Sequence, residues 1–218
     1  MAQYIAANVD YLIIMNSFIK PTLKTGFVDR VLVMAEMQAI TPIILINKRD
    51  LVQEQDYQSV IDIYSGLGYH CLGISAIKDD LKEKMQLLKQ KISVMIGYSG
   101  VGKSTFINNL LQKDVLQVKA ISAYSQKGVH TTSTAEWLDL PFGGAIIDTP
   151  GVREFAIYQQ KDYHLADFFV EIRHLSHLCS YSTCTHTHEP DCAVKQAVEQ
   201  GEISASRYQS YLRLLQDN

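Results

Sequence analysis

The sequence predicts an α/β protein with a mostly parallel sheet, followed by a small helical segment held by a metal. Three observations carry that expectation. Short, fully apolar β-branched runs alternate with amphipathic stretches, the pattern of βαβ units. One run, residues 92–96 (Ile-Ser-Val-Met-Ile), leads directly into the glycine-rich turn Gly97-Tyr98-Ser99-Gly100-Val101-Gly102-Lys103-Ser104-Thr105, which opens a helix. Near the C-terminus, Cys179, Cys184, His186 and Cys192 crowd into one short stretch. The expected division is 1–158 for the α/β domain and 159–218 for the helical metal-binding domain.

Taken in order, residues 10–17 form a continuous apolar run, a strand buried on both faces. Residues 27–39 place Phe27, Val31, Met34, Ala35 and Gln38 at helical spacing. Residues 42–46 read as a second buried strand, 53–66 as a helix and 69–74 as a third strand. Residues 79–91 read as one amphipathic helix with Leu81, Met85 and Leu88 inward. The strand at 92–96 and the helix after Lys103 follow, then strands at 134–140 and 143–147. Residues 163–178 carry Leu165, Phe168, Phe169, Ile172 and Leu175 on one helical side. Helices are also expected over 192–200 and 204–215.

A chain of 218 residues has room for one such α/β domain and a small appendage. Its 47% hydrophobic and 20% charged content is that of an ordinary globular protein. A net charge of −3 argues against holding nucleic acid by bulk electrostatics, though a local basic face stays open. No apolar run approaches the roughly 18 residues of a membrane span. Residues 1–10 lack the charged and apolar regions of a signal peptide. A cytoplasmic protein without a membrane partner is therefore expected. There, four cysteines point to thiols or a metal, and Cys71, inside a strand, to a small core residue.

The run at 97–105 fits G-x-x-x-x-G-K-[ST]. Its glycines let successive N–H groups face phosphate oxygens, and the following helix adds its positive end. Lys103 would reach the β- and γ-phosphates and Ser104 would offer a hydroxyl to Mg²⁺. Asn47-Lys48-Arg49-Asp50 lies at the carboxyl end of the second strand and fits N-K-x-D, where Asp50 can accept two bonds from guanine. A pair of strand-capping residues is the plainer reading of that string. Ser75-Ala76, after the third strand, would face the base.

Downstream, Gly128-Val129-His130-Thr131-Thr132 reads as a mobile loop presenting Thr131 or Thr132 to Mg²⁺, with a polar surface loop as the alternative. Asp148-Thr149-Pro150-Gly151 fits D-x-x-G, where Asp148 would hold Mg²⁺ through water and the Gly151 N–H would sense the γ-phosphate. In conventional GTPases N-K-x-D and the Ser-Ala loop come last; here they come first. The fold class expected is therefore a circularly permuted P-loop GTPase domain, cut after the D-x-x-G strand and rejoined ahead of the phosphate loop. The cysteine-rich stretch, C-x4-C-x-H-x5-C, fits a Cys₃His zinc site, with His188 as the alternative fourth ligand. His174 and His177 read as surface residues.

Together these motifs resemble the circularly permuted, small-ribosomal-subunit-dependent GTPases, the RsgA/YjeQ family, over nearly the whole chain. The resemblance implies hydrolysis of GTP to GDP and phosphate, late maturation of the small ribosomal subunit, contact with its rRNA and stimulation by the subunit. The implied cofactors are GTP/GDP, Mg²⁺ and Zn²⁺, and a monomer is expected. Two departures stand out. The family usually carries an N-terminal OB-fold domain, which this chain is expected to lack. Its switch usually reads Gly-Arg-His-Thr-Thr-Thr, whereas Val129 and Ser133 stand here. Many GTPases place a water-orienting Gln after D-x-x-G, but that position is Val152. His130 is the candidate for that role, as the resemblance also suggests, and Lys103 would supply charge stabilisation. Two other readings remain: a nucleotide-dependent binding switch or scaffold with negligible turnover, and an ATP-using P-loop protein.

Overall fold

The computed structural model describes residues 8–116, 135–149 and 163–217. They fall into two compact units. One takes the described residues within Met1–Leu23 and Ile40–Glu154, the other those within Lys24–Ala39 and Phe155–Asn218.

The first unit is built on strands β1 (Tyr11–Ser17), β2 (Thr41–Asn47), β3 (His70–Gly73), β4 (Lys91–Ile96), β5 (Glu136–Asp139) and β6 (Gly144–Asp148). They form one sheet in the order β3-β2-β1-β4-β6-β5, parallel throughout except for β5, which runs antiparallel to β6. The central strands β1 and β2 are buried on both faces, so their sequences are continuously apolar rather than alternating. At the edge, β5 is exposed except at Leu138, which turns into the core. Among the described residues its α-helices are α2 (Glu54–Gly66), α3 (Leu81–Lys84) and α4 (Lys103–Leu111), with α1 (Thr25–Gln38) falling in the other unit. One face of the sheet, including Ile13, Met15, Ile43, Leu45, Met95 and Ile146, packs on Phe106, Ile107 and Leu110 of α4. Leu81, Met85 and Leu88 join the same core.

Those last three residues are buried as their spacing predicts, but the helix expected over 79–91 does not form. Instead the single turn of α3 is followed by a 3-10 turn at Gln86–Leu88, and β4 begins at Lys91. The Asp80 carboxylate accepts from the Lys82 and Glu83 N–H groups, which fixes the start. The chain must then reach β4 within a few residues, and a 3-10 turn rises further per residue than an α-turn. Three apolar residues at spacings of four and three satisfy both geometries. The helix expected over 163–178 is likewise divided. A 3-10 turn at Leu165–Phe168 and helix α5 (Val170–Ser176) meet at Phe169, whose backbone is extended.

The second unit joins α1 and α5 to α6 (Ala193–Glu199) and α7 (Ala205–Gln216). Its core contains Val33, Phe169, Ile172, Val194, Ala197, Tyr211 and Leu214. At its centre is a buried ion triad. Arg207 of α7, 1% exposed, donates through Nε and Nη2 to the two oxygens of Glu171 at 2.7 and 3.0 Å. Its Nη1 donates to Asp29 of α1 at 2.8 Å, and the guanidinium lies 4.6 Å from the Phe169 ring centroid. Burial works against the charge on Arg207, but Glu171 and Asp29 more than compensate and raise its pKa. Asp29 thus gives α1 a buried polar tie to the C-terminal helices, beside the more exposed pairs Arg30–Asp217 and Glu36–Arg173.

Among the described residues no helix is long and apolar enough to cross a membrane. Arg207→Ala should leave two buried carboxylates without their counter-ion and cost about 3–5 kcal/mol of stability. Urea unfolding measures this, and a loss below about 1 kcal/mol would deny the triad its structural role.

Candidate active site and metal centre

Parallel strands deliver their carboxyl ends to one edge of the sheet, the usual place for a ligand in an open α/β fold. Here that edge carries Asn47-Lys48-Arg49-Asp50 after β2, Ser75-Ala76 after β3, the glycine-rich loop after β4 and Asp148 at the end of β6. Their strand positions follow β2, β3, β4 and β6, so segments far apart in sequence converge.

The Asn47 carboxamide joins three of them. It is 3% exposed, its Nδ2 donates to the Val101 carbonyl at 2.9 Å, and its Oδ1 accepts from the Ala76 N–H at 2.9 Å. Lys48 has a left-handed backbone (φ 65°) and turns its ammonium onto the Gly100 carbonyl at 2.9 Å and onto the Lys20 carbonyl. Burial lowers the Lys48 pKa, and the nearby Lys20 charge acts in the same direction. Two glycines of the phosphate loop are required by this packing. A Cβ at Gly97 would come within 2.3 Å of the Met15 carbonyl oxygen, and one at Gly102 (φ 102°) within 2.3 Å of Asn47 Nδ2.

Within the loop, Val101 is buried, Tyr98 packs on the core, and Ser99 and Gly100 are exposed at the crest. Ser104 and Thr105 lie half-buried in the first turn of α4. Lys103 Nζ reaches back over the loop to the carbonyls of Gly97 (2.7 Å) and Tyr98 (3.3 Å). Burial lowers the Lys103 pKa against the pull of Asp148. Burial raises that of Asp148, opposed by Lys103 and reinforced by Glu136. Asp148 Oδ1 is buried and has no hydrogen-bond partner among the described residues. A buried carboxylate oxygen without a donor, close to a desolvated ammonium, fits a site that would hold a magnesium ion.

Asp50 follows in the 3-10 turn after β2. Its side chain is 10% exposed, with Oδ2 at 3.4 Å from Lys78 Nζ. Burial alone would raise its pKa, but Ser75, its own backbone N–H and Lys78 bring it below the ordinary value, so it stays ionised. The sequence reading missed two supports of this loop. Asn109 of α4 donates to the Ala76 carbonyl at 2.8 Å. Asp79 accepts from Arg49 at 2.8 Å and from the Ser75 N–H at 3.0 Å. Neither belongs to a motif, and a charged residue soon after a strand gives no periodic signal. His130, Thr131, Thr132 and Gly151 lie outside the described residues.

In the second unit the ligand atoms of Cys179, Cys184, His186 and Cys192 all lie within 4.8 Å of one another. Cys179 Sγ is 3.8 Å from Cys192 Sγ, and both sulfurs are 3.5 Å from His186 Nδ1. A zinc ion with Zn–S near 2.3 Å and Zn–N near 2.0–2.1 Å needs tetrahedral edges of about 3.8 Å and about 3.5–3.6 Å. The donor set fits that ion. Burial and the neighbouring thiols push the Cys184 thiol up to about 12, despite an opposing backbone bond, so thiolates this close call for a cation among them. His188 lies outside the cluster, exposed, with Nδ1 at 2.9 Å from the Thr187 hydroxyl. His174 and His177 are exposed as well, and Cys71 is buried with its thiol pushed up to about 12.

Three residues absent from the sequence reading hold the metal loop. Tyr208 and Tyr211 of α7 donate to the carbonyls of His186 (2.6 Å) and Thr185 (2.8 Å). The Glu189 carboxylate accepts from the Thr185 and Thr187 N–H groups at 2.8 and 3.1 Å.

Comparison with known proteins agrees with this geometry. The RsgA GTPase family model matches residues 1–158. A protein of Saccharophagus degradans named small ribosomal subunit biogenesis GTPase RsgA is 40% identical over 97% of this chain. The match covers 64% of that protein, and the chain spans between 62% and 70% of the length of such curated relatives. The crystal structure of YjeQ from Thermotoga maritima aligns with a TM-score of 0.75 and 36% identity, over 96% of this chain and 71% of that one. The crystal structure of YloQ, a circularly permuted GTPase, aligns with a TM-score of 0.73 and 31% identity, over 96% and 68%.

Proposed function

The chain belongs to the RsgA GTPase family, and on that premise we propose that it hydrolyses GTP to GDP and phosphate. Its setting is late maturation of the small ribosomal subunit in the cytoplasm, where it binds the subunit and its rRNA in a nucleotide-dependent way, as a monomer. The observation that supports this most directly is the Asn47 carboxamide, which ties the phosphate loop to the Ser75-Ala76 loop beside Asp50. A pocket for phosphates and a carboxylate for a base are thereby held in one place.

Each residue then has a chemical task. Asp50 accepts from the guanine N1–H and exocyclic amine, groups that adenine does not offer. N–H groups of the loop 97–102 and the positive end of α4 receive the phosphates. Lys103 moves from the loop carbonyls to the β- and γ-phosphates, where its charge stabilises the transferring group. Ser104 and Asp148, with Thr131 or Thr132, would hold Mg²⁺, which would supply positive charge against that developing on the phosphates. The Gly151 N–H would sense the γ-phosphate. His130 orients the attacking water, since Val152 has no group that can. Residues 1–158 contain this chemistry. In 159–218, Cys179, Cys184, His186 and Cys192 would hold zinc, which stabilises the loop between α5 and α6.

Three outcomes test the reading. Asp50→Asn should weaken GDP binding at least about a hundredfold, since two hydrogen bonds to an ionised group are disturbed. Binding of ADP as tight as GDP by the unaltered chain would overturn the guanine assignment. His130→Ala should lower subunit-stimulated GTP turnover at least about tenfold and leave GDP affinity unchanged. Equal stimulation would remove His130 from the reaction, and no subunit stimulation in the unaltered chain would favour a switch without turnover. Elemental analysis should find a single zinc per chain, lost in Cys184→Ser together with a lower melting temperature and retained in His188→Ala.

A further inference from the structure

The guanine-facing loops sit toward one lateral edge of the sheet. They follow β2 and β3, and β3 is an edge strand of four residues whose next helix, α3, is a single turn. Backbone pairing gives only limited help there: the Arg49 N–H donates to the Ile74 carbonyl at 3.1 Å, and the Ile74 N–H to the Ile46 carbonyl at 2.9 Å. The rest of the alignment comes from side chains.

Those side chains form two consecutive rungs of opposite polarity. Arg49 pairs with Asp79 at 2.8 Å, and the next residue, Asp50, pairs with Lys78 at 3.4 Å. Plus-minus on one loop thus meets minus-plus on the other, so a slip by one residue would set like charges together. The two rungs differ in kind. Lys78 is 64% exposed although Asp50 is largely buried, so the lysine can swing into solvent and open the rung to admit a base. Asp79 is 6% exposed and fully engaged. Its Oδ1 accepts from Arg49, and its Oδ2 accepts from Lys84 Nζ at 2.8 Å and from the Ser75 N–H at 3.0 Å. The Asp79 N–H closes the turn by donating to the Ser75 carbonyl at 3.0 Å. Burial opposes its charge, but Lys84, Ser75 and Arg49 keep its pKa below the ordinary range.

We propose that Asp79 is a positioning residue for base selectivity: through Arg49 and the Ser75 N–H it fixes the distance between the Asp50 carboxylate and the Ser75-Ala76 loop. This rests on the guanine reading above. Asp79 does not touch the base itself. It acts by keeping Asp50 where both guanine donors can be met at once, a requirement that a small displacement defeats.

The test compares GDP with inosine diphosphate, whose base lacks the exocyclic amine, and with ADP, by equilibrium binding to the full chain with magnesium. Asp79→Asn should weaken GDP at least about tenfold and inosine diphosphate less, so that the ratio of their affinities falls at least about fivefold. Arg49→Ala, at a half-exposed position, should move the ratio in the same direction by less, and Arg49→Lys should restore most of it. A purely structural role would weaken both nucleotides alike, and an unchanged ratio in both Asp79→Asn and Arg49→Ala overturns the proposal. Should Asp79→Asn fail to fold, the Arg49 pair decides it alone. An unaltered chain with no preference for GDP over ADP overturns the guanine reading instead, and that is seen before any variant is made.

Discussion

The site depends on a buried amide. Asn47 has one carboxamide to satisfy in a place closed to water, and its partners come from positions 54 residues ahead and 29 residues ahead along the chain. A buried polar group left without partners costs about 1–3 kcal/mol, so the two loops and the strand end that carries Asn47 are held to one geometry. Gly102 fits into the same constraint from the other side, because any side chain there would displace the amide. Lys48 repeats the device one residue later. Its left-handed backbone turns the side chain back onto the phosphate loop rather than away into solvent. The loops proposed to take base and phosphate are in this way mechanically one arrangement.

That constraint explains why the rotated order of motifs does no harm. In a parallel sheet every strand delivers its carboxyl end to the same edge, whichever strand comes first in the chain. The neighbours β1 and β4, in register from Tyr11 with Ser93 to Ile14 with Ile96, are far apart in sequence yet central in the sheet. What the site needs is the lateral order of strands, and lateral order is set by apolar burial and hydrogen-bonding edges. Connection order is a separate variable, as it is in other proteins whose neighbouring termini make permutation tolerable.

The parts legible in the sequence are those where geometry restricts residue type. Residues 13–15 and 43–46 announce buried strands because both faces must be apolar, and Gly97 and Gly102 are read because nothing larger fits beside Met15 and Asn47. The cysteine stretch is read because close spacing is what brings sulfurs within reach of one ion. Where several geometries accept the same residues, the sequence is silent. Leu81, Met85 and Leu88 are inward in one long helix or in two short turns. Asp79 looks like a solvated charge, and its burial is decided by Arg49 and Lys84, neither of which marks it. Asp29 is the sharper case. On its own helix it reads as a surface carboxylate, yet its counter-ion is Arg207, 178 residues away. No local pattern contains that partner.

The same pair bears on how the second unit comes together. Helix α7 supplies Arg207 to the buried carboxylates of α1 and α5, and on adjoining positions supplies Tyr208 and Tyr211 to the carbonyls of the metal loop. Without α7, Asp29 and Glu171 would have to enter the core as unpaired charges, which is strongly unfavourable. The loop from Thr185 to His186 would also lose both phenolic donors. Closing the core around α1 and α5 before α7 arrives would therefore carry the cost of burying both carboxylates unpaired. Because α1 precedes most of the sheet and α7 is the last described helix, the contacts that complete this unit are among the longest in the chain. Long-range closure of that kind is slow. A metal held by Cys179, Cys184, His186 and Cys192 would organise that stretch locally and give α7 a formed surface to dock on.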